Sequence, residues 1–563
     1  MKDQIFHEKK EYRDIREIVE DVGEIYKERT VYSFKKKPSD KEIVKISYEQ
    51  FREDVRALST ELIAMGCRGK KCAVSGALSY KWICLYYSVL SIGAVLVPLD
   101  KDWHADDLAD TVKKADAEYF FCDCDMTDKA EIICRESSIE SLYFIDGSEY
   151  DGVDALIQRG NEKISDGDNS YYQSEIDPDA LALLVFTSGT TGKGKGVMLS
   201  QTAIVSDITD VLPYIDFGER SIAVLPPHHT YGSTVSILGH TLAGCEVYIS
   251  AGLRYIQKEL REQRPQHLVL VPLYLETFYR KIISGLKEKG KEKSFKIGSK
   301  ISKTLRGLKI DARRRMFAEI LDIFGGELRL VVSGGAHINE DIVEFFDTLG
   351  ITVLNGYGIT ECAPIVAVNH SGLVTKGSVG IPLSINDVKI ANPGEQGEGE
   401  ICVKGSNVMI GYYKDPEATA AAFDDEGYFR TGDFGKFGKN GALFITGRLK
   451  NLIILSNGKN VYPEEIESEF TAVPGIIDIV VYEGESKRGN MYNAIVAEIY
   501  PDTELLAKNG VEDVKEYFQT FVNNYNKTAV PYKKIGIIKI RNTEFPKNTL
   551  RKIMRFKIDK TIN

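Results

Sequence analysis

Short apolar runs rich in β-branched and aromatic residues alternate with amphipathic segments as far as Gly358, and this alternation limits the fold most. KCAVSGA (71–77), AVLVPLD (94–100), ALALLVFT (180–187), HLVLVPL (267–273), LRLVVSGG (328–335) and ITVLNGYG (351–358) read as strands. EQFREDVRALSTELIAMG (49–66) reads as an amphipathic helix between two of them. Strands separated by helices build parallel sheets covered by helices, so layered α/β sheets are expected. After about residue 375 the texture changes to glycine-rich strands and turns (SVGIPL, GEGEICVKG, GALFITGR), which predict a β-rich antiparallel subdomain. A boundary near 447-GRLKN-451 then divides a large domain, 1–449, from a small α+β domain, 450–563.

The chain is long enough for several folding units, and its net charge of −10 argues against general nucleic-acid affinity. Nine cysteines show no C-x-x-C pair, so neither a zinc site nor a disulfide framework is expected. The charged N-terminus does not read as a signal peptide. WICLYYSVLSIGAVLVPL (82–99) is uncharged and at the lower limit for a membrane span. Gly93 breaks it and Pro98 ends it, so a buried helix followed by a core strand is the better reading, and a cytoplasmic protein is expected. One segment opposes the acidic balance: residues 280–315 hold 14 Lys/Arg and three Asp/Glu, with aliphatic residues spaced through them. A solvated helical hairpin and a basic face for an anionic membrane or an acidic partner protein both fit.

The stretch 187-TSGTTGKGKG-196 looks built for phosphate. It falls short of a P-loop, because Gly196 stands where that motif needs a Ser/Thr to reach magnesium. VMLS then reads as extended chain, and Ser200 is the natural N-cap of the next helix. The geometry is therefore strand, glycine loop, strand, helix, which counts against a P-loop NTPase. Ser188, Thr190 and Thr191 hydroxyls, with Lys193, Lys195 and the loop amides, form an anion nest.

T-S-G-T-T-G-x-x-K-G resembles the phosphate-binding signature of the adenylate-forming enzymes, which include acyl- and aryl-CoA synthetases, luciferases and peptide-synthetase adenylation domains. Further matches follow in family order: 225-LPPHHTYG-232, 333-SGGA-336, 355-NGYGITE-361, 397-GEGEICVKGSNVMIGYY-413, 428-YFRTGD-433, 447-GRLKNLIILSNGKNVYPEEIE-467 and 546-PKNTLRKIMR-555. Gly194 replaces the family's usual proline, and Leu550-Arg551 its frequent Ser-Gly. The resemblance implies ATP, Mg2+ and CoA as reactants or cofactor. It places Thr187, Ser188, Gly189, Thr190, Thr191 and Lys195 on the phosphates, with Thr190 and Glu361 at the metal. It places Thr360 on the α-phosphate, Tyr357 against adenine, and Gly335, Ala336, Gly356 and Gly358 where backbone approaches the ligand. Asp433 would take the ribose hydroxyls, Arg448 would support ribose or phosphate, and Lys552 would bridge carboxylate and α-phosphate. Lys450 matches the hinge, and Gly458 would admit the pantetheine arm of CoA.

His229, Tyr231, Gly232, Ser333 and Gly334 are assigned to the substrate pocket. The histidine segment 228–244 holds no acidic residue to pair an amino group, so an amino acid substrate is disfavoured. The segment 267-HLVLVPLYLETFYRKI-282 and the insertion before 325-GGELRLVVSGGA-336 resemble long-chain fatty acyl-CoA synthetases. Both tryptophans, 82 and 103, precede the pocket segments, so neither is expected to close a short pocket. A medium- or long-chain fatty acid is the expected substrate and CoA the acceptor. An acyl carrier protein is the alternative acceptor.

Overall fold

The apolar run at 82–99 folds as a helix followed by a strand. Ser79 caps the helix Tyr80–Ser91 by accepting from the Trp82 amide at 3.2 Å, and Trp82 through Ser91 are all buried. Gly93, at φ +70°, turns the chain into the fully buried strand Val95–Leu99. A helix apolar all round fits only between layers, and this one shares a core with Phe51, Tyr32 and Leu96. Among the described residues no helix is long and apolar enough to cross a membrane. The computed structural model describes residues 4–147, 152–187, 194–455, 460–471, 473–486, 491–547 and 553–562.

Three sheets are built from residues before 385, one of them with a short added edge strand from further along the chain. The largest runs Gly411–Tyr412, Lys195–Ser200, Leu181–Thr187, Val95–Leu99, Lys71–Ser75, Tyr119–Cys122, Ser141–Phe144. Its last five strands are parallel, as expected for strands joined by helices, whereas Leu181–Thr187 and Lys195–Ser200 are an antiparallel hairpin. A second sheet orders His267–Leu270, Leu330–Ser333, Thr352–Gly358, Ile365–Val368 and Ile381–Pro382, parallel through the first three and antiparallel thereafter. The third orders Val44–Ser47, Thr30–Phe34, Glu246–Ile249 and Arg220–Ala223.

The β-rich region is an antiparallel sheet of Asn386–Ala391, Gly399–Gly405, Phe429–Phe437 and Leu443–Arg448. Beyond Arg448 the strands Ile476–Ser486 and Met491–Pro501 form a long hairpin flanked by Ile535–Ile540 and Thr561–Ile562. The helices Pro463–Phe470 and Val514–Thr528 cover it, giving a separate apolar cluster that includes Ile466, Phe470, Val481 and Phe518. The basic segment is helical, Pro272–Glu288 followed by Glu292–Gly307.

A buried polar feature lies where the sheets meet. His240 and His267 are fully buried with ring centroids 4.8 Å apart, and Phe217 packs against both. His240 Nδ1 donates to the Ser236 carbonyl at 2.6 Å, while His267 Nδ1 accepts from the Gly218 amide at 3.1 Å. The second arrangement requires a neutral imidazole. Burial holds His240 down at about 4 and also depresses His267 well below its ordinary value, where its neighbour His240 adds to the effect. The unfolded chain, with His near 6.5, therefore binds these protons first. The contribution of His240 to stability is whole above about pH 6.5 and is lost as pH falls towards 4, at most about 3 kcal/mol. Denaturant titrations across this range should show His240→Leu losing less stability on acidification than the parent. An equal or steeper loss would contradict the assignment.

Candidate active site

Every described residue assigned to the nucleotide, metal or substrate site from the sequence lines one cleft of about 4390 Å3. That is several times an ordinary small-molecule pocket, enough for more than one substrate. Ser188, Gly189, Thr190, Thr191, Lys193, Gly458 and Lys552 lie outside the described residues. The glycine loop springs from the hairpin in which Thr187 pairs with Lys195, and Ser200 caps the next helix by accepting from the Ala203 amide at 3.1 Å. This is the strand-loop-strand-helix order expected.

Tyr412 joins the hairpin to the turn that carries Glu361. The short strand Gly411–Tyr412 pairs with the outer edge of Lys195–Ser200. The Lys195 ammonium stands 4.2 Å from the Tyr412 ring centroid, a cation–π contact, and the Tyr412 hydroxyl donates to Glu361 Oε1 at 2.9 Å. Burial, with Glu361 nearby, raises the Tyr412 phenol far above its usual range, so it stays a donor. The Met409 amide binds the Glu361 carbonyl at 2.8 Å and fixes the backbone as well.

Beneath the same turn lies Asp207, fully buried on the helix Gln201–Val211. Its Oδ1 accepts from the Ile365 amide at 3.1 Å and from Asn407 Nδ2 at 3.0 Å, and Asn407 Nδ2 also reaches the Ile365 carbonyl at 2.7 Å. Burial raises the Asp207 carboxyl well above its usual range. Sequence reading assigned nothing to Asp207 or Tyr412. The pattern GYY in 397–413 was the only available signal for the tyrosine.

Asp433 is held by two partners. The Tyr357 hydroxyl donates to Oδ2 at 2.7 Å and Arg448 Nε pairs with Oδ1 at 2.8 Å. The strands bring this about, since Asp433 and Arg448 are register partners and Tyr357 sits on the strand Thr352–Gly358. Burial and then the Asp433 charge raise the Tyr357 phenol well above its usual range, whereas Asp433 itself raises Arg448. Both carboxylate oxygens thus have partners already. The Arg448 side chain, 58% exposed, can move, while that of Asp433, 3% exposed, cannot.

Of the residues expected in the substrate pocket, Ser333 and Gly334 sit at the end of the strand Leu330–Ser333, and His229 lies in the turn before Tyr231 and Gly232. Tyr231 opens a π-helical segment, Tyr231–Leu238, which the sequence did not suggest. Its hydroxyl donates to the carbonyls of Leu270 at 3.2 Å and Val332 at 3.1 Å, so it braces two parallel strands while its ring faces Gly334. Gly232 is required because a Cβ there would stand 2.1 Å from the Pro226 carbonyl oxygen. Ser333 is buried, and its hydroxyl has no hydrogen-bond partner among the described residues. Gly335, at φ +83°, and Ala336 are exposed in the cleft. Lys450 lies exposed in the turn Leu449–Asn451 at its edge. Lys547 and Ile553, which flank the segment holding Lys552, pair with each other and also line the cleft. Trp103 and Lys101 form part of a wall that was not anticipated.

A magnesium site would have to rest on few protein ligands. Among the described residues no cluster of three or more His, Cys, Asp or Glu side chains could hold a metal. Glu361 lines the cleft and is tied to the phosphate hairpin through Tyr412. This donor set fits Mg2+, which keeps waters and takes phosphate oxygens.

The family model for AMP-binding enzymes matches residues 19–413. The long-chain-fatty-acid–CoA ligase FadD15 of Mycobacterium bovis is 29% identical over 453 residues, covering 77% of this chain and 74% of that protein. Long-chain-fatty-acid–CoA ligase 5 of Rattus norvegicus is 28% identical over 512 residues, covering 83% and 73%. The crystal structure of ATP-bound MatB from Rhodopseudomonas palustris superposes with a TM-score of 0.74 at 24% identity, over 96% of this chain and 97% of that one. The matching family model and the near-complete overlap with an adenylate-forming fold agree: this chain belongs to the AMP-binding enzyme family.

Proposed function

We propose that this protein is an AMP-forming fatty acid–CoA ligase acting on medium- or long-chain acids. The reading rests chiefly on the placement in one cleft of the Asp433–Tyr357–Arg448 group and the Lys195–Tyr412–Glu361 series. The first suits a ribose and the second suits phosphates. The names of the relatives, fatty acid–CoA ligases, support the acid and the acceptor. An apolar part of the cleft wall, including Ile208, Val211, Ile215, Phe217 and Val235, suits an acyl chain.

The carboxylate oxygen of the acid attacks the α-phosphorus of ATP, the bond to the β-phosphate breaks, and pyrophosphate leaves. The thiol of CoA then loses its proton and attacks the acyl carbon, and AMP departs with one oxygen of the original carboxylate. In the first step two anions must meet, so cations carry the catalysis. Lys552 takes the bridging role, Lys195 and the glycine-loop amides hold phosphate oxygens, and Thr360 donates to the α-phosphate. Asp433 fixes the ribose, with Tyr357 holding the carboxylate from behind. When bound, Mg2+ is held by Glu361 and Thr190 and supplies charge neutralisation on the nucleotide phosphates. Residues 450–563 act as a small domain turning about Lys450, which alternates Lys552 and Gly458 at the cleft.

Two measurements test this. Lys552→Ala should lower fatty-acid-dependent ATP–pyrophosphate exchange by about 100- to 1000-fold, while supplied acyl-AMP still reacts with CoA. Equal loss of both half-reactions would remove the two-pose model. Asp433→Asn should raise the KM for ATP by roughly 10- to 100-fold in protein that is still folded at the assay temperature, the scale of a lost charged hydrogen bond. An unchanged KM would detach Asp433 from the nucleotide.

A further inference from the structure

The basic segment divides into residues tied down by acids and residues left facing solvent. Lys289 and Lys291 pair with Glu319 at 3.3 and 2.6 Å, and Arg306 and Arg313 hold Asp347 at 2.6 and 2.7 Å. The helix Glu292–Gly307 turns one face inward. Phe295 packs on Phe317 and Phe345, with centroids 5.2 and 5.5 Å away, and Ser302 is buried one helical repeat further on.

The opposite face presents Lys293, Lys296, Ile297, Lys300 and Ile301, continued by Leu308 at the helix end, at the three- and four-residue spacing of one stripe. Ile297 is 60% exposed, Ile301 49% and Leu308 67%. The three lysines make no ion pair among the described residues, and no acidic residue occurs from Lys293 to Leu308. A purely solvated face would need the lysines but not the aliphatic side chains between them. Interleaved cations and large aliphatics suit the boundary between lipid headgroups and acyl chains.

The stripe is also close to the cleft. The preceding helix, Pro272–Glu288, packs against this helix and lines the cleft with Leu273, Tyr274, Thr277 and Lys281. Leu273 and Leu253, both exposed, stand on that wall. We propose that the face formed by Lys293, Lys296, Ile297, Lys300, Ile301 and Leu308 docks on an anionic phospholipid surface. The aliphatic side chains enter the interface and the ammonium groups meet lipid phosphates, so a poorly soluble acid passes from the bilayer to the cleft. This last benefit rests on the fatty-acid reading above; the docking does not.

The test is flotation with vesicles of phosphatidylcholine alone or mixed with phosphatidylglycerol, which requires no catalytic turnover. The full chain should float with the mixed vesicles and not with phosphatidylcholine. Replacing Lys293, Lys296 and Lys300 together by Gln should weaken partitioning by about 100-fold, each lysine acting near the surface. Ile297→Ser with Ile301→Ser and Leu308→Ser should release the protein at low salt too. Both variants should keep the parent's melting temperature, and its ATP–pyrophosphate exchange with octanoate if the fatty-acid reading is right. Failure of the parent to float, or flotation of the triple Gln variant like the parent, would overturn the proposal. Capture of the parent by an acidic carrier protein but not by vesicles would overturn it too, and mark the face as a protein dock.

Discussion

The ion pair between Asp433 and Arg448, completed by the Tyr357 hydroxyl, is the interaction on which the site depends. A carboxylate buried this deeply persists as an anion only beside a cation and hydrogen-bond donors. The three partners come from different places. Tyr357 belongs to the second α/β sheet, Asp433 to the antiparallel sheet, and Arg448 is the last residue of that sheet before the C-terminal region. The same contacts therefore fasten the β-rich layer to the α/β layers at the edge of the cleft. Arg448 alone of the three is substantially exposed, so the group can yield on the solvent side without losing its buried anchor.

A second set of contacts fixes how the glycine loop is used. In a P-loop, the glycine stretch runs straight into a helix whose N-terminus receives phosphate. Here the chain returns through Lys195 as a strand, and the helix begins only after Ser200. The two strands that flank the loop pair as a hairpin, and the helix lies beyond the second of them. Tyr412 compensates by clamping the hairpin against Glu361, and Asp207 supports the Ile365 end of the same turn from below. Lys195 and Glu361 are held as a unit through Tyr412, a side chain that need not touch a substrate.

Much of the fold was legible because local signals and tertiary demands agreed. Gly93 and Pro98 marked the helix-to-strand change within the apolar run at 82–99, and Ser200 marked a helix start by its capping chemistry. The shift to antiparallel sheet after residue 375 followed from its glycine-rich turns. Pairings between distant segments were not legible. Gly411–Tyr412 joins an edge more than 200 residues earlier in the chain, and nothing in its neighbourhood names that partner. The π-helical segment at Tyr231–Leu238 was hidden because its periodicity differs little from that of an α-helix over eight residues. Asp207 was hidden because burial gives it a role, and burial is a property of the assembled sheets.

The account makes the cleft an adenylating site in which one carboxylate oxygen of the acid becomes part of AMP. The most direct measurement is to supply a fatty acid labelled with oxygen-18 in its carboxylate, with ATP, magnesium and CoA, and weigh the products. One labelled oxygen in AMP, none in pyrophosphate, and acyl-CoA formed in equal amount are predicted. Release of ADP, or AMP without label, would show that phosphate is transferred or hydrolysed by another route and would contradict the assignment.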